Sequence, residues 1–152
     1  MTSLVLRTQL GDIALALRAD VAPVTVAHVV RHVTEGLYDS LSFYRSDFVI
    51  QCGVFGSAKA SRHAPLAVNE SGRGASNARG TMAVAHHDVP DNGSTEIFIN
   101  LSDNAHLDRA YGGYAVFAAV RADDAASWKT IAAVAAAVKA GSKPVIVKAE
   151  VV

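Results

Sequence analysis

Helical periodicity occurs in two stretches that stand far apart, and the chain between them is cut into short apolar runs. Val26, Val29, Val30, Val33 and Leu37 repeat at the spacing of one helical face. Pro23 precedes them, where a first helical turn tolerates a missing N–H, and Gly36 supplies a stop. Trp128, Ile131, Val134 and Val138 repeat in the same way, with Asp123 as the expected N-cap and Gly141 and Pro144 ending the helix. The runs 48–52, 81–85, 97–101 and 115–120 have the length of strands, and most are bounded by Gly, Asn, Asp or Ser. Residues 4–8 and the alternating Ile13, Leu15 and Leu17 read as a hairpin about Leu10-Gly11-Asp12, and 145–152 reads as a closing strand. A βαβ fold needs a helix after nearly every strand, and two helices cannot supply that. The pattern predicts a mainly β domain, an antiparallel barrel or sandwich whose ends the helices cap.

At 152 residues the chain has the length of one domain, read as 1–152 without internal repeat or linker. Its 14 basic residues balance 14 acidic ones, which argues against an electrostatic nucleic-acid binder and for partners chosen by shape and hydrogen bonds. A hydrophobic fraction of 51% argues against disorder. Cys52 is the single cysteine, so there is no internal disulfide and no cysteine-based zinc site, and its apolar run makes it a small core residue. No basic segment leads into a long apolar run. The expectation is therefore a cytoplasmic protein without signal peptide or membrane span, and a monomer. The stretches 57–78 and 86–94 are too long for tight hairpin turns and are candidate functional loops.

Four blocks, in order, carry a family likeness. Phe43-Tyr44-Arg45 and Phe48-Val49-Ile50-Gln51-Cys52-Gly53 are similar to the Phe-His-Arg and Phe-Met-x-Gln-Gly segments of cyclophilins, with two residues fewer between them. Asn69-Glu70-Ser71-Gly72 with Ser76-Asn77-Ala78-Arg79-Gly80-Thr81-Met82-Ala83 resembles the Asn-Glu…Gly-Leu-Ser-Asn-x-Arg-Gly-Thr-Ile-Ala stretch of bacterial members. Ile97-Phe98-Ile99-Asn100, Asp103-Asn104 and Leu107-Asp108 match a third block, and Gly113-Tyr114-Ala115-Val116-Phe117 a fourth. The resemblance implies an eight-stranded antiparallel β-barrel capped by two α-helices. It also implies peptidyl-prolyl cis/trans isomerase activity on X–Pro bonds in peptides and unfolded proteins, without cofactor or metal. By the same resemblance Arg45 is the catalytic residue, and Phe43, Phe48, Val49, Gln51, Ala85, His86, Glu96, Phe98, His106, Leu107 and Tyr114 bind substrate, while Phe117 stays in the core.

The chemistry suits those residue types. An amide that twists loses its resonance and leaves a lone pair on the proline nitrogen. A permanently charged donor stabilises that state more than the planar one, and the proline ring needs an apolar anchor while the rest of the peptide turns. Five positions depart from the family: Glu96 stands where Gln is usual, Tyr44 where His is, Val49 where Met is, and His106 where Trp or Phe is, and His86 stands where Asn or Arg is common. His106 implies weak cyclosporin binding. Glu96 accepts hydrogen bonds but cannot donate, and it could pair with Arg45. Two readings follow: an active isomerase, or a proline-peptide binding module of the same fold with weak or lost turnover. His28 and His32, four apart, and the adjacent His86-His87 pair could be considered for metal, but His28 and His32 fall off the valine stripe and read as a solvated helix face.

Overall fold

The computed structural model describes residues 2–87 and 92–152. Residues 88–91 of the second candidate loop therefore lie outside the described residues. The N-terminal hairpin pairs β1 (Ser3–Thr8) with β2 (Gly11–Leu17), Thr8 opposite Gly11, so that the turn is Gln9-Leu10 and Gly11 already belongs to a strand. Alternation then buries Leu4 and Leu6 of β1 and Ile13 and Leu15 of β2 on one face.

Eight strands form one antiparallel sheet. The others are β3 (Phe43–Ser46), β4 (Val49–Cys52), β5 (Thr81–Val84), β6 (Ile97–Asn100), β7 (Val116–Ala119) and β8 (Ile146–Val151), in the order β3-β4-β6-β5-β7-β2-β1-β8. The two ends approach each other. Ser42 bridges Val145, Phe43 N–H donates to Pro144 O at 3.0 Å, and Ile146 N–H donates to Leu41 O at 2.7 Å, which nearly closes the barrel. Curling the sheet in this way satisfies strand edges that would otherwise be open.

Inward-facing residues of β4 to β7, among them Ile50, Cys52, Met82, Ile97, Ile99 and Phe117, join the hairpin's apolar face in one core. Phe117 is fully buried there, as is Cys52, whose thiol pKa burial pushes up. The outward-facing residues of the same strands, Val49, Ala83, Phe98 and Val116, form a second apolar cluster with Leu107. β6 is therefore covered on both sides, and its run is continuous instead of alternating.

Helix α1 (Pro23–Thr34) begins at Ala22, which offers no side-chain cap. Glu70, brought back by the long loop, takes that role: its carboxylate accepts from Val24 N–H at 3.2 Å, Thr25 N–H at 2.6 Å and the Thr25 hydroxyl at 2.7 Å. A buried carboxylate at a helix N-terminus is stabilised by these otherwise orphaned donors and by the helix dipole. The helix stops ahead of Gly36, which adopts φ +77°.

The buried face of α1 corrects the sequence reading. It is Thr25, His28, Val29, His32 and Val33, while Val26 and Val30 are half-exposed. Val29 and Val33 face the core; the histidine flank is covered by the loop around Ser61 and by the chain entering β6. His28 Nε2 meets Ser94 O at 3.0 Å and His32 Nε2 meets Ser61 Oγ at 2.5 Å. The polar flank that reads as solvated is thus an interface with irregular chain, which leaves no periodic signal.

Helix α2 (Ala125–Lys139) is capped by Asp124, one residue later than expected, which accepts from Ser127 N–H at 3.1 Å. It buries Ser127, Thr130, Ile131 and Val134, while Trp128 and Val138 are only half-buried. Arg79 lies 4.2 Å over the Trp128 ring, and the indole donates to Arg121 O at 3.0 Å.

Candidate functional site

The position of Arg45 depends on one extra residue. Phe43 pairs with Cys52 and Arg45 with Gln51, so two steps along β3 oppose a single step along β4 and Tyr44 is the bulge. In unbroken register Arg45 would face Ile50 and enter the core. The bulge turns it outward beside Gln51. The same geometry corrects Phe43: it pairs with Cys52 on the inner side, is fully buried in the core, and does not line the cleft.

The other named residues are brought together. Arg45, Phe48, Val49, Gln51, Ala85, His86, Glu96, Phe98, His106, Leu107 and Tyr114 line one open cleft of about 820 Å³. Its floor is the outward-facing cluster of Val49, Ala83, Phe98, Leu107 and Val116, with Ala85 and Tyr114 packed against it. Leu107 sits in a short 3-10 turn, Ala105–Asp108, that is tied down by Asp108: its carboxylate accepts from Asn77 N–H at 2.8 Å and Asn77 Nδ2 at 2.9 Å, and from the Ser76 hydroxyl. Burial opposes ionisation of Asp108, but these hydrogen bonds outweigh it and lower its pKa. Asn104 Nδ2 donates to Phe48 O at 3.0 Å and so fixes the loop that carries the Phe48 ring.

Aromatic rings form the rim. His106 meets Phe48 edge-on at 5.3 Å. His86 stacks on Tyr114 at 4.1 Å, with its Nε2 2.7 Å from Gly113 O. Tyr114 in turn meets Phe98 at 5.7 Å. Phe55 and Tyr111, 73% and 62% exposed, also line the cleft and were not singled out from the sequence. Phe55 lies between Gly53 and Gly56, and Tyr111 precedes Gly112 and Gly113 in a short 3-10 turn, Ala110–Gly112; an aromatic residue beside glycines is the one available hint. Tyr111 holds a left-handed conformation, φ +51°, an unfavourable backbone for a bulky residue and one that occurs at sites where a side chain must be aimed.

Arg45 Nε donates to Asp47 Oδ2 at 2.9 Å and Nη1 to Gln51 Oε1 at 3.0 Å, while the guanidinium carbon lies 5.2 Å from the centre of the Phe48 ring. Both members of the Arg45–Asp47 pair are exposed, and such a pair contributes under about 1 kcal/mol. Nη2 takes part in neither bond and has no hydrogen-bond partner among the described residues.

Glu96 does not take Arg45. Its Oε1 accepts from the Tyr44 hydroxyl at 2.9 Å and Phe55 N–H at 3.1 Å, and its Oε2 from Val54 N–H at 3.1 Å and the Thr95 hydroxyl at 2.6 Å. The carboxylate fits because residue 53 is glycine: a Cβ there would lie 2.2 Å from Glu96 Oε1. Tyr44 also accepts from Gln51 Nε2 at 2.8 Å, and burial raises its pKa. An unbroken chain of hydrogen bonds therefore runs from Glu96 through Tyr44 and Gln51 to Arg45.

Residues 3–151 match the family model described as cyclophilin type peptidyl-prolyl cis-trans isomerase/CLD. The chain is 39% identical over 124 residues to peptidyl-prolyl cis-trans isomerase A of Dickeya dadantii, a match that covers 78% of this chain and 65% of that protein. It is 36% identical over 122 residues to peptidyl-prolyl cis-trans isomerase B of Escherichia coli, covering 74% of each. Its fold is similar, with a TM-score of 0.81 at 16% identity, to the crystal structure of a cyclophilin type peptidyl-prolyl cis-trans isomerase of Cryptosporidium parvum determined in the presence of the dipeptide Ala-Pro; 99% of this chain and 98% of that one are covered.

Proposed function

The chain belongs to the cyclophilin type peptidyl-prolyl cis-trans isomerase family, and from that premise we propose that it interconverts cis and trans X–Pro bonds in peptides and unfolded chains, with Arg45 stabilising the twisted amide. The uncatalysed step is slow because amide resonance imposes a barrier of about 18–20 kcal/mol, lowered only modestly at proline. The proline ring docks on Val49, Phe98 and Leu107 between Phe48 and Tyr114, which anchors one side of the bond. The observation that carries the reading is the donor geometry of Arg45: a guanidinium held on two sides at the edge of an apolar floor, its Nη2 without a hydrogen bond among the described residues.

As the nitrogen becomes pyramidal, Arg45 donates to its lone pair. A hydrogen bond from a charged donor contributes about 1.5–3 kcal/mol, and each 1.4 kcal/mol corresponds to roughly tenfold in rate, so this one contact supplies on the order of ten- to a hundredfold. No covalent bond forms or breaks. The alternative reading, a proline-peptide binding module with weak or lost turnover, rests on Glu96 being unable to donate a hydrogen bond and on its pairing with Arg45; the four neutral donors around Glu96 speak against the pairing alone.

Exchange NMR on a short X–Pro peptide tests it. The wild-type protein is expected to broaden and merge the cis and trans resonances, and Arg45→Ala to lose most of that effect. An unaccelerated peptide with wild type would overturn the proposal.

A further inference from the structure

Tyr44 and Glu96 both depart from the family pattern, and the structure places them in contact. Resting on the isomerase reading, we propose that they act together as positioning residues: Glu96 sets the direction of the hydrogen-bond chain through Tyr44 and Gln51, and so holds the Arg45 guanidinium in place for the twisted amide.

The direction follows from counting protons. A carboxylate has none to give, and two of its four partners, Val54 N–H and Phe55 N–H, are backbone donors that cannot reverse. Glu96 is therefore a fixed acceptor. The single hydroxyl proton of Tyr44 goes to Glu96, so the tyrosine oxygen meets Gln51 as an acceptor and must face its amide nitrogen, which it does at 2.8 Å. That leaves the Gln51 carbonyl for Arg45 Nη1, at 3.0 Å. With the amide turned the other way, a donor would face the guanidinium. Asp47 accepts from Nε, so two fixed acceptors define the plane of the group, and Nη2, unbonded among the described residues, can turn to substrate.

The residue type at 96 is part of the device. Each carboxylate oxygen of Glu96 receives one backbone N–H, so a glutamine amide would set its own NH2 against a backbone donor whichever way it turned. Glutamine at this position in the family and glutamate here are thus not equivalent in this setting. Tyr44 makes the glutamate useful to Arg45, because a hydroxyl can donate to one neighbour while accepting from the next.

A purely structural account would have Glu96 do no more than staple the 53–55 turn. Tyr44→Phe separates the two, since it removes the link to Gln51 while the Val54, Phe55 and Thr95 bonds to Glu96 and the ring contact with Phe55 at 5.3 Å stay in place. Isomerisation kinetics on an X–Pro peptide would be compared for wild type, Arg45→Ala, Tyr44→Phe, Glu96→Gln and the double variant Tyr44→Phe/Glu96→Gln. Side-chain NMR of the Arg45 guanidinium and the thermal midpoint of each variant complete the set.

Tyr44→Phe is expected to lower kcat by roughly three- to tenfold, less than Arg45→Ala does, with KM unchanged and a midpoint lowered no more than in Glu96→Gln, and to speed rotation of the guanidinium. The double variant is expected to be no slower than the slower single one, because both break the same chain. A wild type that accelerates the peptide through Arg45, with Tyr44→Phe matching its kcat and its guanidinium signals, would overturn the positioning role and leave the isomerase intact. Full activity or a gain in Glu96→Gln would also overturn it. A wild type without activity would sink both readings.

Discussion

Glycine at 53 is the smallest part of the site and the easiest to disturb. Because a Cβ there would lie within 2.2–2.4 Å of three Glu96 carboxylate atoms, Gly53→Ala must expel the carboxylate from between its four donors or shift the strand end. Overpacking of this kind costs roughly 1–3 kcal/mol, and the left-handed φ of +156° lies at the limit of what alanine accepts. Urea unfolding is expected to show a lower midpoint at unchanged slope, together with reduced isomerisation; a midpoint equal to wild type would mean that the contact is slack. Glu96 itself shows how far a sequence can be read at this scale. It stands out as a departure from the family pattern, and pairing with Arg45 is a reasonable expectation from charge alone. The partners it actually has are two main-chain N–H groups and two hydroxyls, and no pattern of residue types announces a main-chain donor. Phe43 fails for a related reason. It is adjacent in sequence to cleft residues, but strand alternation on either side of a bulge sends neighbours to opposite faces, and the bulge leaves no mark in the residue types.

The helices and most strands are legible because burial on one face imposes a period. Seven strands coincide with apolar runs or alternation; β3 does not, since Phe43-Tyr44-Arg45-Ser46 has one fully buried residue and owes its extended form to pairing with β4. The α1 start illustrates an element completed from outside. Pro23 marks the first turn, yet the cap comes from Glu70, far along the chain, and its cost and benefit are both set by burial: the residue is 2% exposed and, among the described residues, its ionic partner is Arg73 Nη1 at 3.2 Å. Replacing an N-cap group costs about 1 kcal/mol on average, and leaving buried donors unsatisfied adds a similar or larger amount. Glu70→Ala is accordingly expected to destabilise the protein by about 2–3 kcal/mol. Hydrogen exchange would report the loss first at the amides of Val24 and Thr25. If those amides keep their protection, the helix start is held by something other than Glu70.

Closure of the barrel is a property of the whole chain: residue periodicity leaves barrel and sandwich open and assigns a partner only within the first hairpin, and the eight-stranded barrel is legible in the sequence through the family resemblance. It arises from β8 pairing with β1 across nearly the full length and from the Ser42–Val145 bridge, contacts between segments whose local patterns are complete without them. A second long-range arrangement, the histidine layer, ties α1, the 57–67 loop and the entry to β6 into one acid-sensitive unit. His28 and His32 stack edge-on at 4.4 Å, His63 lies 5.5 Å from His32, and around them stand Arg31, Glu35, Tyr38, Ser61 and the Ser94 carbonyl. His63 and Glu35 are bonded at 2.9 Å. His32 Nδ1 is buried without a partner among the described residues. Burial, with the neighbouring histidines adding to it, lowers the His32 pKa from 6.5 to about 4; burial also lowers that of His28. The unfolded chain therefore binds protons that the folded one refuses. Stability from this layer is complete above pH 6.5, and it falls as the pH drops from there toward 4, by at most about 1.4 kcal/mol per pH unit for each proton taken up. The carboxylates with lowered values, Asp20, Glu35, Asp108 and Asp124, start to lose their contribution only near pH 4.5 and below, so the upper part of the window isolates the histidines. Urea midpoints measured between pH 7.5 and 4.5 should decline in the wild type, and the decline should be shallower in His32→Gln, which keeps a polar group for Ser61 and cannot be protonated. Equal slopes in the two proteins would mean that the proton enters elsewhere, and that the histidine layer is no more acid-sensitive than the rest of the molecule.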